Sequence, residues 1–259
     1  MSRVYEIDGK HYYSVTTILG MLDKPALVPW AAKMTAEACQ QLIHDHGIHN
    51  CLEGTILLSW EDDGDGHMGL ENIITEAKKA YRSKSRKAMD IGTLVHELIE
   101  KHCHTGIAPD LKDEPDEVQT AFNAWLKWVD ENDFEPIMQE VQVHDPIVGY
   151  AGRFDAIAKV NGVVTILDFK TSSNIFDEYL YQLGAYWAAA NDEEAPIHQG
   201  GILRLDKETG MPEWKTYTLE ELDHAAGVFE HLCFAYRMMK GEAQPPKERK
   251  GKKNGADNK

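Results

Sequence analysis

Asn161-Gly162 constrains this chain more than any other pair of residues. Asn-Gly is the preferred two-residue turn between antiparallel strands, because both positions must take positive φ. The flanking segments show the period of two expected of strands. With the turn fixed there, facing residues have numbers that sum to 323. Asp155 then faces Asp168, and Arg153 faces Lys170. Side chains alternate along a strand, so all four are expected on one face of the sheet. The other face would carry Phe154 opposite Phe169 and Ala156 opposite Leu167, an apolar set suited to a core.

Opposed carboxylates with β-carbons roughly 5 Å apart repel each other. They must share a proton or bind a cation. Two hard oxygen ligands at that separation, with water completing the shell, suit Mg²⁺ or Mn²⁺. Lys170, two residues beyond Asp168 on the same face, would place its ammonium beside the metal. A metal that activates water, next to a cation that stabilises developing charge, is what phosphodiester hydrolysis requires. On these residues alone a surface hairpin, its charges salt-bridged through Arg153 and Lys170, stays open as the alternative.

Other segments supply the frame. Residues 3–13 alternate around Asp8-Gly9, a second hairpin signal. Ser14 precedes the apolar series Val15, Ile18, Leu19 and Leu22 as an N-cap would. Pro25 and Pro29 break the chain before a helix at about 30–43, and 44–70 is expected to be a loop or insertion. Helices follow at about 71–86 and 88–104, then one carrying Phe122, Trp125, Leu126 and Val129. Strands are expected at about 137–144, 148–160 and 163–170, then a helix at 177–190. A hairpin at 199–218, turning near Thr209-Gly210, leads to a helix at 219–240. The organisation expected is one domain over 1–246, made of an N-terminal hairpin and helical region (1–87), a core (88–190) and a C-terminal hairpin and helix (191–246). A disordered basic tail, 247–259, follows.

The net charge of −16 opposes nucleic-acid binding unless positive charge is concentrated somewhere. It is concentrated twice. Lys78, Lys79, Arg82, Lys84, Arg86 and Lys87 lie together without an acid among them. The tail from Lys247 carries a local +4, which leaves −20 on the remainder. Such a stripe can grip DNA locally, although a solvated helix face would look the same. Cys39, Cys51, Cys103 and Cys233 show no Cys-x-x-Cys spacing and read as ordinary thiols in a reducing compartment. With no apolar run long enough to span a bilayer and no leader pattern, no membrane association is expected and the location expected is cytoplasmic.

Further residues extend the hairpin. His96 falls beside the apolar arc of its helix, with Glu100 one turn on. His-Glu-Leu-Ile-Glu lacks the second histidine of a zinc-protease helix. Glu140 lies in the first strand, and Gln182 and Tyr186 share a helical face. In order, Gly92-x-x-x-His96, the strand residue Glu140, Gly152-x-x-Asp155, Asp168-Phe169-Lys170-Thr171 and Gln182-x-x-x-Tyr186 resemble the PD-(D/E)xK nuclease superfamily. The likeness is strongest to its RecB-like branch, which includes Cas4-type nucleases. Ser14-Val-Thr-Thr-Ile-Leu and Leu27-Val-Pro-Trp30 are more loosely similar to phage exonucleases and the mitochondrial genome maintenance exonuclease.

That resemblance implies an α/β fold, a restriction-endonuclease-like core with a central mixed sheet flanked by helices, plus an N-terminal helical region walling a DNA channel. It implies metal ligation by Asp155, Asp168, the Phe169 carbonyl and His96, and a role for Lys170 in orienting or activating water. Glu140 would support the site or bind a second metal, and Gln182 and Tyr186 would position Lys170 or the DNA backbone. Lys78, Lys79, Arg82, Lys84, Arg86, Lys87 and Arg153 would contact DNA. The function implied is a Mg²⁺- or Mn²⁺-dependent DNA exonuclease of recombination, repair or processing, acting on single strands or duplex ends, with a recombination or replication protein as a further partner. A non-catalytic DNA-binding relative and a structure-specific endonuclease are the alternatives. Only Cys233 is late in the chain, so the iron–sulfur cluster of many Cas4-type members is not expected. His44-x-His46-x-x-His49-x-Cys51 has no second ligand pair to make a zinc site, and Glu61-x-Asp63-x-Asp65-Gly66 reaches Asn72 where a calcium loop needs Glu. No serine-hydrolase elbow or P-loop occurs.

Overall fold

The computed structural model describes residues 3–25, 27–46, 48–50, 55–57 and 69–245. The chain runs β1 (Val4–Ile7), β2 (Lys10–Ser14), α1 (Val15–Leu19), α2 (Leu27–His46), β3 (Ile48–Asn50), β4 (Thr55–Leu57), α3 (Leu70–Ala77), α4 (Ala80–Thr105) and α5 (Asp116–Glu131). It continues with β5 (Phe134–Asp145), β6 (Tyr150–Val160), β7 (Val163–Lys170), α6 (Asp177–Ala190), β8 (Gln199–Leu205), β9 (Pro212–Tyr217) and α7 (Leu219–Lys240). Seven strands form one mixed sheet in the order β1-β2-β6-β7-β8-β9, with β5 on the remaining edge of β6.

The Asp-Gly and Asn-Gly turns both form. Asp8 and Gly9, and Asn161 and Gly162, have positive φ. The β6–β7 pairs from Val160/Val163 to Ala156/Leu167 follow the expected register. Ser14 caps α1 by accepting the Thr17 amide at 3.0 Å. The helices pack in two layers. α1, α6 and α7 bury Ile18, Leu183, Tyr186 and Phe229 against one face of the sheet. α4 and α5 bury Val95, Phe122, Trp125 and Trp128 against the other.

Three expectations on the N-terminal side are corrected. The break between helices falls at Lys78-Lys79, not near Lys87, so α4 is one 26-residue helix. No glycine or proline marks either position, and the Lys/Arg-rich stretch propagates helix well. Within the expected 44–70 loop, β3 and β4 pair antiparallel, from Ile48/Leu57 to Asn50/Thr55. Pro29 sits in the first turn of α2, where its missing N–H costs nothing, so the helix starts earlier than proline as a breaker implied. Cys51, the Glu61–Gly66 run and the tail from Lys247 lie outside the described residues.

The hairpin departs from its expected geometry at one place. Ladder pairing between β6 and β7 stops at Ala156/Leu167, one step short of Asp155 and Asp168. Beyond it, Phe154 packs with Ile157 in the α6/α7 layer, whereas Phe169, Ala156 and Leu167 pack in the α4/α5 layer. Residues three apart share a face only if the alternation slips between them. The expected apolar pairing of Phe154 with Phe169 is therefore replaced by a kink at Asp155. Its β5 neighbour Glu140 takes φ 51°, a conformation rare in a strand. Because both strands depart together, their register is the same on either side, Gln139/Ala156 and Val141/Phe154.

The topology explains the kink. β5 covers one edge of β6 along its whole length, from Val160 to Tyr150. The other edge is shared: β7 pairs with Ala156–Val160, and β2 pairs in parallel with Tyr150 and Ala151. Residues 152–155 lie in the fork between β2 and β7, without a ladder partner on that edge. A cleft opens there.

Candidate active site

A cleft of about 700 Å³ occupies the fork and is lined by His96, Glu140, Arg153, Asp155, Asp168, Lys170, Gln182 and Tyr186. Residues from α4, β5, β6, β7 and α6, up to 90 positions apart in sequence, thus meet in one place. Asp155 anchors it. In a two-residue hairpin the hydrogen-bonded pairs alternate from the turn, so the Phe169 amide would be due to bond across to Phe154. Instead Phe169 N–H donates to Asp155 Oδ2 at 2.6 Å. The other Asp155 oxygen lies 3.4 Å from His96 Nδ1. His96 Nε2 stands 3.0 Å from the Phe169 carbonyl oxygen.

A second group surrounds Lys170. Its ammonium is ion-paired with Asp168 Oδ2 and lies 3.4 Å from Gln182 Oε1. Gln182 Nε2 donates to Asp168 Oδ1 at 3.1 Å and to the Tyr186 hydroxyl at 3.2 Å. Tyr179, which sequence patterning did not single out, presents its ring 4.8 Å from the same ammonium. It lies three residues before Gln182, hence on one helical face with it, and that spacing was the available signal.

The two carboxylates behave oppositely. Burial pushes the Asp168 carboxyl up to about 6, and Asp155 adds to this against the pull of Lys170. Burial also works against the charged form of Asp155, but His96 and Lys170 outweigh it and hold Asp155 below the usual carboxylate range. For His96, burial disfavours the cation, yet Asp155 prevails and the imidazole is pushed up to about 9. Burial and the neighbouring Asp155 raise Glu140. Titratable groups driven apart in one cleft are a signature of acid–base work, as they are of buried ion pairs.

The donor set fits a divalent cation. His96, Glu140 and Asp155 offer ligand atoms that all lie within 4.8 Å of one another. The positive φ of Glu140 belongs with this placement, because the kinked β5 carries its carboxylate to the level of Asp155. Asp168 is not in that group; its side chain is turned to Lys170 and Gln182. Apart from the Lys170 contact, the buried Asp168 Oδ2 has no hydrogen-bond partner among the described residues. Of the expected set, His96, Asp155 and Asp168 line one cleft and the Phe169 carbonyl oxygen lies 3.0 Å from His96 Nε2, while the group of clustered ligand atoms takes Glu140 in place of Asp168.

The basic segment is less free than its composition suggested. Lys79 pairs with Glu76 at 2.6 Å, Lys87 with Glu117 at 2.5 Å and Lys84 with Glu37 at 3.9 Å. Arg82 donates to the Tyr81 hydroxyl at 2.9 Å. None of the six basic residues of 78–87 lines the cleft, although Arg153 does, 3.6 Å from Glu140. Arg3, from the start of the N-terminal hairpin, lines it too and has no acidic partner among the described residues.

Gly152 is where the fork is tightest. A β-carbon there would lie 2.4 Å from Cε1 of Tyr186 and 3.2 Å from Val15. Tyr186 is 4 % exposed and cannot swing away freely. Gly152→Ala is therefore expected to lower stability by about 1–3 kcal/mol, as overpacking does. It should also loosen Gln182, so activity should fall further than the unfolded fraction explains, a difference read by comparing urea midpoints with turnover.

No curated protein matches this chain. Among solved structures, a chain from Eubacterium rectale named "Putative exonuclease" is similar at a TM-score of 0.41 and 15% identity, over 69% of this chain and 77% of that one. The family model of the PD-(D/E)XK nuclease superfamily matches residues 118–252. That span is more than half the chain and holds Glu140, Asp155, Asp168, Lys170 and Gln182. The chain belongs to the PD-(D/E)XK nuclease superfamily.

Proposed function

We propose that this chain is a divalent-metal-dependent DNA exonuclease that hydrolyses phosphodiester bonds in the cleft between β2, β6 and β7. The observation that carries the proposal is the meeting of two clusters in one cleft: His96, Glu140 and Asp155 as a cation site, and Lys170 held by Asp168 and Gln182 beside it. His96, Glu140 and Asp155 would hold the metal, with the Phe169 carbonyl and Asp168 at its border. Bound there, Mg²⁺ or Mn²⁺ would supply a Lewis acid for a phosphate oxygen and a lowered pKa for its water. Lys170 would hydrogen-bond the attacking water or a non-bridging oxygen and offset the developing charge. Gln182 and Tyr186 fix where the Lys170 ammonium stands. Arg3 and Arg153 would take flanking phosphates, a contact without sequence preference. The preference for DNA ends rests on the resemblance of the motif series to the RecB-like branch.

End-labelled single- and double-stranded DNA, incubated with Mg²⁺, Mn²⁺ or EDTA, provides the test. Cleavage should require a divalent ion, start at an end and shorten the DNA progressively. His96→Ala and Glu140→Ala should each raise the half-activating Mn²⁺ concentration about 10–100-fold. Cleavage in EDTA would refute the metal-dependent reading, and internal cuts in circular DNA the exonuclease reading.

A further inference from the structure

Tyr179 links the catalytic cleft to a second one. Its ring faces the Lys170 ammonium at 4.8 Å, and it also lines a neighbouring cleft of about 590 Å³. Phe176 and Tyr181, at the start of α6, line that cleft together with Leu22, Pro25 and Leu27. Phe176 meets Tyr179 edge to face, with centroids 5.6 Å apart, and is 38% exposed. An apolar, aromatic surface is thus left open to solvent within one side chain of the lysine. The polar groups at its rim are mostly acids: Asp23, Asp177 and Glu178. Among the described residues, Lys24 pairs with Glu178 alone, at 2.5 Å. A phosphate is repelled from such a rim, whereas a flat uncharged ring is not. Carboxylates can in addition accept hydrogen bonds from the amino groups that bases carry.

We propose that this second cleft holds an unpaired nucleobase of the strand being cut, stacked on Phe176 with Tyr179 against its edge, next to the phosphate beside Lys170. The inference rests on the nuclease function proposed above and narrows its substrate to single-stranded or frayed DNA. A base inside a duplex would first have to leave its partner and its stack, which costs free energy. Every base has a π-face, so the site is tolerant of sequence. Position selects the occupant: Tyr179 stands 4.8 Å from Lys170 and borders the second cleft, so a strand with a phosphate at Lys170 would bring a neighbouring base beside Tyr179, and Arg3 and Arg153, which line the first cleft, would take its other phosphates.

Single-stranded oligonucleotides with one abasic site, walked through the nucleotides around the cut bond, are digested by the full chain in Mn²⁺, with kcat and KM taken separately. At one position the missing base should raise KM about tenfold, the equivalent of about 1.4 kcal/mol, and leave kcat within about twofold. Phe176→Ala should raise KM for intact DNA by a similar factor and lose the sensitivity to the abasic position, and Phe176→Trp should restore both. Losses that multiply, or a KM indifferent to abasic sites at every position, would overturn the proposal, the latter leaving the cleft to some other apolar partner. A binding arm separates this outcome from failure of the nuclease function. 2-Aminopurine, placed at each position in turn, should be quenched at one position on binding to Asp168→Asn, and not when Phe176→Ala is added. Quenching without any cleavage by the unmodified chain retains the base site and refutes only the nuclease; cleavage without quenching refutes the base site alone.

Discussion

Lys170→Met is expected to cleave DNA at least about 10³-fold more slowly than the unmodified chain, and in EDTA its unfolding free energy should fall by about 3 kcal/mol. Adding Asp168→Asn returns most of that stability and none of the activity. Both expectations come from burial: the Lys170 side chain is 16% exposed and the Asp168 side chain 1%. A single well-placed charge or donor that acts on the transition state contributes about 10²–10³-fold, and Lys170 also keeps Asp168 and Gln182 in place. Its removal leaves a buried carboxylate whose pKa already stands at about 6 with the ammonium present. Breaking one side of such a pair costs more than removing both, because the survivor is left uncompensated. The pH dependence has a definite sign. Asp168 binds its proton more tightly in the folded than in the unfolded chain, so stability falls as pH rises from about 4 through the folded value. The penalty of Lys170→Met should therefore be larger at pH 8 than at pH 5. A double variant no more stable than Lys170→Met at pH 8 would contradict this account.

That pair illustrates which parts of the molecule the sequence makes legible. The Asn161-Gly162 turn specifies its register locally, since only residues tolerant of positive φ fit it, and the pairing holds from Val163 to Leu167. It fails at Asp155 for a non-local reason. β2, 140 residues earlier in the chain, takes the edge of β6 at Tyr150 and Ala151, and Asp155 captures an amide due to the ladder. No alternation pattern within 150–170 carries that information. The motif series names His96, Glu140 and Gln182 as members of one site, but the division of labour among them depends on a positive φ at Glu140 and on the rotamer of Asp168. The basic run 78–87 shows the same limit for charge. Its partners Glu37 and Glu117 are far away in sequence, so counting along the chain does not reveal them. Amphipathic periodicity was the dependable part, because the Phe122, Trp125 and Val129 stripe needs only helix geometry to be read.

Trp125→Ala costs about 3–5 kcal/mol of stability, the largest loss expected from any single truncation in the α4/α5 layer. Trp125 is fully buried. It stacks on Trp128 at 5.7 Å and meets Phe134 and Phe169 edge-on at 5.0 and 5.3 Å. Its indole N–H donates to His102 Nδ1 at 3.1 Å. Truncation leaves a cavity bordered by aromatic rings that cannot all collapse inward, and a histidine nitrogen without its donor. Trp125→Phe keeps part of the ring volume and should lose less, as a smaller fall in the urea midpoint. The consequence for the site runs through Phe169. Its ring rests on Trp125, its amide donates to Asp155 and its carbonyl faces His96. A ring released into a cavity moves the backbone that carries both contacts, and a displacement of about 1 Å at a reacting centre can lower a rate about 10²-fold. Turnover per folded molecule should therefore fall about 10–100-fold in Trp125→Ala, measured at low temperature where the variant remains folded, while single-stranded DNA affinity changes little. Equal turnover per folded molecule would mean that the strand edge holds Phe169 without help from the core. The kink at Asp155, rather than the packing beneath it, would then be what positions His96, Glu140 and Asp155.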